Sequence, residues 1–299
     1  MILESNNYGE IRVRLMKVTR QPDRHDLKEI AVDIQFEGGF EPAYKEGDNA
    51  DVLAAGAIKN TVCALAGQSA AETVEDFGLR LSDYFLAHNP KVSAVRVDLS
   101  EHPWERLQAG GRPHRFAFMR PGAERHTAHI RATRDALKVE SGIADLLVIK
   151  TAGPSFEGFK NDEFAGRPEP SGRLFETAIA ARWNFTSRDI SYGPAWHGIR
   201  QMILDTFTEH ASKSVQHALY AIGEAVLDQC EEVDEIRISM PDKYCLPINA
   251  SRSGVPESNE IFLPVDEPQG LIEATLKKSD TWTSTSSGSR TRRFRLRLQ

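Results

Sequence analysis

The segment from Val148 to Arg173, VIKTAGPSFEGFKNDEFAGRPEPSGR, passes from an apolar, strand-like stretch into a long loop rich in glycine and proline. Loops of this length inside a domain are usually functional or disordered. This loop contains Phe156 and Phe159, and Arg173 follows just before the chain becomes apolar again. An aromatic face beside a guanidinium group suits a flat heterocycle, because the rings stack and the guanidinium pairs with oxygens. The alternative is that both phenylalanines belong to the hydrophobic core.

Composition narrows the classes of protein to consider. The chain has 299 residues, 40% of them hydrophobic and 27% charged, which is enough for one large or two ordinary soluble domains. A net charge of −6 argues against a nucleic-acid-binding protein. No apolar run approaches the length of a membrane span, and no signal peptide is readable at the N-terminus. We therefore expect no nucleic-acid partner and no membrane insertion.

The cysteines and the known sequence motifs add two expectations. Cys63, Cys230 and Cys245 are odd in number and form no C-x-x-C motif, so neither a disulfide framework nor a zinc site is indicated, and a reducing, cytoplasmic location fits. The pair His126 and His129 is expected on opposite faces of a strand, which disfavours a metal site. No phosphate loop, dinucleotide fingerprint or nucleophile elbow occurs, so no cofactor is expected.

Periodicity predicts two similar halves. Residues 8–36 alternate as a hairpin with Ile11, Val13 and Leu15 on one buried face. Ser69 and Glu72 form a capping-box pattern that predicts the start of a helix. The second half repeats the order strand, strand, helix, helix, strand, strand. The predicted division is a first domain at 1–140, a second at 141–279, and a disordered basic tail at 280–299, whose last ten residues contain five arginines.

The opening segment resembles the signature of the uricase (urate oxidase) family, in which an Ile-Lys-Thr strand leads through Ser-x-Phe-x-Gly-Phe to an arginine. Other segments resemble the family in the same order: Tyr8-Gly9, Gly47-Asp48-Asn49, Ile58-Lys59-Asn60-Thr61, Pro103-Trp104-Glu105-Arg106, Ser214-Val215-Gln216, Met240-Pro241 and Gln269-Gly270-Leu271-Ile272-Glu273-Ala274-Thr275. The resemblance implies an α+β fold of two tandem tunnelling-fold (T-fold) domains, whose antiparallel sheets carry helices on one face. In that fold the barrel closes through oligomerisation, which removes exposed sheet edges, so a homotetramer with sites between subunits is expected.

The resemblance also implies a ligand and the residues that bind it. Phe156, Arg173, Val215 and Gln216 match the four residues that cradle urate in the family, so a purine-like heterocycle is the expected ligand and dioxygen a possible second one. Judged without the resemblance, Gln216 is a surface residue at a helix start, where unpaired N–H groups favour an anionic or carbonyl-rich ligand. The resemblance favours the binding role.

The positions that match the family's catalytic residues are all different here. Glu10 replaces a lysine, Ala55 and Gly56 replace a threonine and an aspartate, Asp242 replaces an asparagine and Tyr244 replaces a histidine. The charge at these positions changes by about −2, so we expect a ligand less negative than urate. Arg12, which alternation places on the same strand face as Glu10, could pair with it and soften this effect.

Three hypotheses follow. The first is an enzyme that performs cofactor-independent oxidation or hydration of a urate-like heterocycle, with Glu10, Asp242 and Tyr244 as a rebuilt acid–base set. The second is a non-catalytic purine-binding sensor or partner subunit that keeps the cradle. The third is ordinary urate oxidase activity, which converts urate and dioxygen to 5-hydroxyisourate and hydrogen peroxide by a displaced proton path.

Overall fold

The structure, a computed structural model, describes residues 1–68, 73–153, 156, 158–160, 173–248 and 260–279. Most of the predicted loop and the whole of the predicted tail lie outside the described residues. The first half contains β1 (Tyr8–Arg20), β2 (His25–Gly38), α1 (Glu41–Lys45), α2 (Ala55–Gln68), α3 (Val74–His88), β3 (Val92–His102), β4 (Glu105–Ala109), β5 (Arg112–Met119) and β6 (Arg125–Thr133). The second half contains β7 (Leu137–Lys150), β8 (Phe175–Phe185), α4 (Tyr192–Glu209), α5 (Val215–Gln229), β9 (Val233–Ser239), β10 (Asp242–Pro247), β11 (Phe262–Gly270) and β12 (Glu273–Lys277).

The predicted repeat is confirmed. In the first half, the long strands β1 and β2 precede helices α2 and α3. In the second half, the long strands β7 and β8 precede helices α4 and α5. A strand, a hairpin and a final strand then complete each half. Each half thus contains an inserted hairpin, β4–β5 or β10–β11. The sequence pattern does not predict both hairpins, because β4, β10 and β11 lack a regular apolar alternation.

Ten of the strands form one antiparallel sheet. Its first six strands follow the order β1-β2-β3-β6-β7-β8. Strand β8 then pairs with β10 at its start and with β9 at its end. Strand β11 pairs with β10, and β12 pairs with β9. Helix α3 packs on β3 and β6, and α5 packs on β9 and β12. This arrangement confirms the predicted α+β class with an antiparallel sheet. Among the described strands β1 pairs only with β2, so these strands do not close into a barrel within one chain.

Two hydrophobic cores lie between the sheet and the helices. The first includes Phe36 and Val139, and the second includes Ile143 and Trp183, all 4% exposed or less. Each fully buried large apolar side chain contributes about 1.5–3 kcal/mol. Strand β7 crosses from one core to the other between Val139 and Ile143, while the domain boundary at residue 140 stays a prediction. No helix of the described chain is both long and apolar enough to cross a bilayer.

A β-bulge in β1 corrects two predictions about its side chains. The register with β2 shifts between Glu10 and Val13, and Arg12 adopts a φ of 59° while its main-chain N–H donates to Asp33 Oδ1 at 2.5 Å. Because a bulge adds one residue to the strand, it reverses the alternation of side chains. Ile11 is therefore 58% exposed and does not share the buried face of Val13. Arg12 makes no ion pair with Glu10 in the described chain.

Helix α3 begins at Val74, so the predicted start at Ser69 is wrong, and residues 69–72 lie outside the described residues. Thr73 is the N-cap: its Oγ1 accepts the N–H of Asp76 at 3.2 Å, and Asp76 Oδ2 accepts the N–H of Thr73 at 3.4 Å. An aspartate completes this capping box in place of the usual glutamate, which is why the sequence pattern pointed elsewhere.

We expect Thr73→Ala to lower the free energy of unfolding by about 1 kcal/mol, because the first turn of α3 loses the acceptor for one of its N–H groups. Thr73→Ser is the matched control, since it keeps a hydroxyl at the same position. Denaturant unfolding followed by circular dichroism measures both. Equal stabilities of the alanine and serine variants would contradict the assigned cap.

Candidate functional site

Arg173 and Asp242 form a buried ion pair at one end of the second half. Arg173 Nη2 lies 2.5 Å from Asp242 Oδ2, and the two residues are 8% and 7% exposed. Arg173 lies two residues before β8, and Asp242 is the first residue of β10, which pairs with the same end of β8. The sequence indicated both residues, one for binding and one for catalysis, but not their contact. A buried charge needs such a partner, since isolation in the interior costs several kcal/mol.

Two aromatic rings contact the guanidinium group of Arg173. Its Cζ lies 5.1 Å from the ring centre of Phe156 and 4.8 Å from that of Tyr244. Cation–π contacts of this kind stabilise by about 0.5–2 kcal/mol, more when water is excluded. Phe156 also packs edge-on against Phe175 at 5.1 Å, so it belongs to the second core as well as to this cluster. The second phenylalanine of the loop, Phe159, is 48% exposed.

Phe156 has a strained backbone. Its φ is 33°, in the left-handed region that non-glycine residues rarely adopt. Strain of this kind persists only when the surrounding packing holds it, and it is concentrated at functional sites. The contacts with Arg173 and Phe175 supply that packing.

Gly270 keeps space open beside the ion pair. It pairs with Asp242 across β10 and β11, and a Cβ added to it would lie 3.2 Å from Asp242 Cβ and 3.6 Å from the Tyr244 hydroxyl. The site thus combines guanidinium donors, a carboxylate acceptor and a phenol hydroxyl that donates or accepts. These groups can bind the edge of a polar ring and move a proton at it.

Val215 and Gln216 open helix α5. Ser214 caps the helix by accepting the N–H of His217 at 3.1 Å, Val215 is buried in the second core, and Gln216 is exposed on the first turn. Val215 therefore shares a core with Phe156. The structure shows no contact between Gln216 and Arg173.

Glu10 lies elsewhere in the molecule. It is half-buried in β1, next to Ile34 of β2, and four strands separate β1 from β8 in the sheet. Strands are about 4.8 Å apart, so roughly 24 Å of sheet separates β1 from β8. Within one chain the structure brings together Phe156, Arg173, Asp242 and Tyr244, and it does not bring Glu10 to them.

Glu176 is a neighbour of this site that the sequence did not indicate. It lies opposite Lys243 in the sheet register, with Lys243 Nζ 3.7 Å from its Oε1, and Cys245 Sγ donates to its Oε2 at 3.4 Å. Burial, together with the hydrogen bond to Glu176, raises the pKa of the Cys245 thiol, which keeps it protonated. Only an assignment of β10 as a strand next to β8 would have revealed this contact.

The described residues include no cluster of three or more histidine, cysteine or acidic side chains that could hold a metal ion. His126 and His129 lie on opposite faces of β6, as predicted: His126 bonds to Glu75 and His129 bonds to Asp98, each at 2.7 Å.

Comparisons with known proteins agree with this fold. The family model described as Uricase matches residues 6–131 and 139–273. Uricase from Arthrobacter globiformis is 34% identical over 278 residues, covering 93% of this chain and 90% of the relative. Uricase from Dictyostelium discoideum is 32% identical over 281 residues, with 93% and 98% covered. The crystal structure of the Arthrobacter globiformis uricase has a TM-score of 0.87 at 33% identity, covering 95% of this chain and 99% of that chain. On the evidence of both sequence and tunnelling fold, this chain belongs to the uricase family.

Proposed function

We propose that this chain binds a urate-like or purine-like heterocycle at Arg173 and acts on it as a cofactor-independent enzyme. The observation that carries the proposal is the buried cluster in which Phe156 and Tyr244 contact the guanidinium of Arg173. An aromatic stack and a guanidinium fork together recognise a flat ring with carbonyl oxygens. Val215 and Gln216, at the start of α5, complete the proposed cradle.

The proposed chemistry is oxidation or hydration of the ring, with Glu10, Asp242 and Tyr244 as the acid–base set. In the oxidation, the ring gives up two electrons and takes a hydroxyl group from water, and dioxygen takes the two electrons and two protons to become hydrogen peroxide. In the hydration, a carboxylate takes a proton from water, the hydroxide adds to a ring carbon, and a ring nitrogen gains a proton. Positioned acid–base groups of this kind accelerate such steps by about 10²–10⁴ each.

We further propose a homotetramer in which each site is shared between two subunits, in the cytoplasm. The open edge of β1 and the placement of Glu10 about 24 Å of sheet away from β8 support this, because Glu10 could reach Arg173 only from another copy. Sedimentation velocity is expected to show a tetramer. A monomer that still binds the ligand would refute the shared site.

A second candidate function is a purine-binding sensor or partner subunit without catalysis. The specific observation in its favour is that Asp242, at a proposed catalytic position, is engaged by Arg173 at 2.5 Å. A carboxylate held in a buried ion pair is a weaker base than a free one.

Substitutions in the cradle test the binding proposal. We expect Arg173→Gln and Gln216→Ala each to weaken binding of the best purine-like ligand by about 10- to 100-fold, the effect of losing a charged or buried hydrogen bond. Isothermal titration calorimetry measures the affinity, and Gln201→Ala, on the exposed face of α4, is the control. Wild-type affinity in both cradle variants would show that the ligand binds elsewhere.

A further inference from the structure

A cavity with a volume of about 460 Å³ lies within the single chain where the two halves meet. Thr73, just before α3, His126 at the start of β6, and Gly193 and Trp196 in the first turns of α4 are part of its lining. None of the residues around Arg173 lines it. Small-molecule pockets typically measure about 300–1,000 Å³, so this cavity is large enough for a ligand.

The internal repeat relates this cavity to the proposed cradle. Helices α3 and α5 both have 15 residues, a hydroxyl N-cap that accepts the N–H of the third helical residue, and a buried valine first. The second helical residue is Glu75 in α3 and Gln216 in α5. Glu75 is therefore the counterpart of the glutamine proposed to bind the purine-like ligand.

A second pair of residues supports the same relation. Strand β3 begins at Val92 and β9 at Val233, and the residue nine positions later is Glu101 in one case and Asp242 in the other. Glu101 lines the cavity and is paired in register with His126. The cavity thus occupies, inside one chain, the place that the proposed cradle occupies at the end of the second half.

The imidazole of His126, which is paired with the buried carboxylate of Glu75, forms part of the cavity wall. His126 Nε2 lies 2.7 Å from Glu75 Oε1, which also accepts a hydrogen bond from Ser141, and Trp196 stacks on the imidazole at 4.4 Å. Glu75 is 0% exposed, and its Oε2 has no hydrogen-bond partner among the described residues. In the neutral imidazole, Nε2–H donates to Glu75 and Nδ1 is the acceptor. In that form this wall offers His126 Nδ1 as an acceptor.

The charged residues of the lining have an acidic balance. Two cationic side chains, Lys28 and Arg200, face three carboxylates, Glu101, Glu105 and Glu124. Arg200 binds Glu124 through two hydrogen bonds of 2.5 and 2.7 Å, and Lys28 Nζ lies 3.5 Å from Glu101. Both cations are thus engaged, and one carboxylate remains in excess. Such a lining disfavours anions and favours donor-rich ligands.

We propose that this cavity is a second ligand site, which binds a neutral or cationic planar nitrogen heterocycle through its amino and ring N–H groups. The acceptors of these hydrogen bonds are His126 Nδ1 and Glu105, the carboxylate that is not paired with Lys28 or Arg200 among the described residues. The two sites then differ in chemistry. The glutamine at the cradle can hydrogen-bond to a ring edge that has both a donor and an acceptor, whereas the acceptors here bind a ring edge that presents donors.

The probe is 2,6-diaminopurine, and xanthine, which has carbonyl oxygens in place of the two amino groups, is the matched ring. Gly193→Leu fills the cavity from the first turn of α4, where the atom nearest to an added Cβ is Thr73 Cγ2 at 3.4 Å. Gly198→Leu is the control, because it lies on the same helix, outside the lining, with nothing within 4 Å of its added Cβ. Arg173→Gln disables the proposed cradle. Calorimetry measures each affinity, and thermal melting checks that each variant folds.

We expect wild type to bind 2,6-diaminopurine more tightly than xanthine at one site per chain in addition to any cradle site. Gly193→Leu should weaken this binding by about 10- to 100-fold, the loss expected when hydrogen bonds to charged groups are blocked. Gly198→Leu and Arg173→Gln should leave it unchanged, and Gln216→Ala replaces Arg173→Gln if that variant does not fold. The proposal is overturned if wild type does not bind the diamine, if xanthine binds as tightly, if Gly193→Leu binds like wild type, or if disabling the cradle abolishes binding.

Discussion

Supplied with urate in air, the purified protein will show very low turnover, and five substitutions together will raise it. The substitutions are Glu10→Lys, Ala55→Thr, Gly56→Asp, Asp242→Asn and Tyr244→His. They restore the residues that the family resemblance places at these positions. Each positioned acid–base group contributes about 10²–10⁴ to the rate, so their combined absence leaves little of the ordinary reaction.

The structure supports the feasibility of this restoration. Ala55 and Gly56 form the start of α2, and a Cβ added to Gly56 would meet nothing within 4 Å. Asp242→Asn and Tyr244→His replace side chains at the Arg173 cluster by groups of similar or smaller size.

Two measurements check the result: the loss of urate absorbance and the release of hydrogen peroxide. Adding Arg173→Gln to the five-substitution variant is the control, and it should abolish the regained activity. Robust peroxide release by the wild-type chain would show that a proton path exists without the replaced residues.

A single substitution, Asp242→Asn, will tighten the binding of anionic urate by about a hundredfold or more. In the wild type, the carboxylate of Asp242 pairs with Arg173 at 2.5 Å, so it offsets the positive charge that an incoming anion meets. One negative charge about 5 Å from an anionic ring costs roughly 3 kcal/mol at an effective dielectric constant near 20. Removing the negative charge of Asp242 leaves more of the positive charge of the guanidinium to attract the ligand.

Glu10→Gln tests the same idea from the other side of the proposed shared site. Arg12 makes no ion pair with Glu10 among the described residues, and the bulge in β1 interrupts the alternation that would place them together, so the charge of Glu10 is expected to act on the ligand. Binding of urate and of hypoxanthine, a neutral ring of similar shape, is measured by calorimetry at several pH values. Asp228→Asn, on the exposed surface of α5, is the charge-matched control.

The expected pattern is specific to charge. Hypoxanthine should bind wild type more tightly than urate does, and both substitutions should improve urate while changing hypoxanthine little. The charge hypothesis would be contradicted if wild type bound urate more tightly than hypoxanthine, or if neither variant bound urate more tightly than wild type does. Loss of folding in Asp242→Asn would appear as a lowered melting temperature, and Glu10→Gln then carries the test.

The sequence by itself determined the helices and the repeat. Val215, Leu219, Ile222 and Val226 recur at helical spacing, and all four are buried in α5. Such periodicity is a local property, since it depends only on which residues a regular element turns toward the core. The family signature likewise predicted Arg173 and Phe156 as site residues without knowledge of their contacts. Local signals failed where a competing one was present, as at the start of α3.

Only the tertiary structure decided which residues meet. Arg173 and Asp242 are 69 residues apart, and their ion pair depends on the pairing of β10 with the end of β8. The exposure of Ile11 depends on a bulge in the register of β1 with β2. Glu75 of helix α3 is buried against His126 of β6 and Ser141 of β7. The physical reason is the same in each case: a sheet joins distant segments through register, and register is set by the packing of the whole chain rather than by neighbours in sequence.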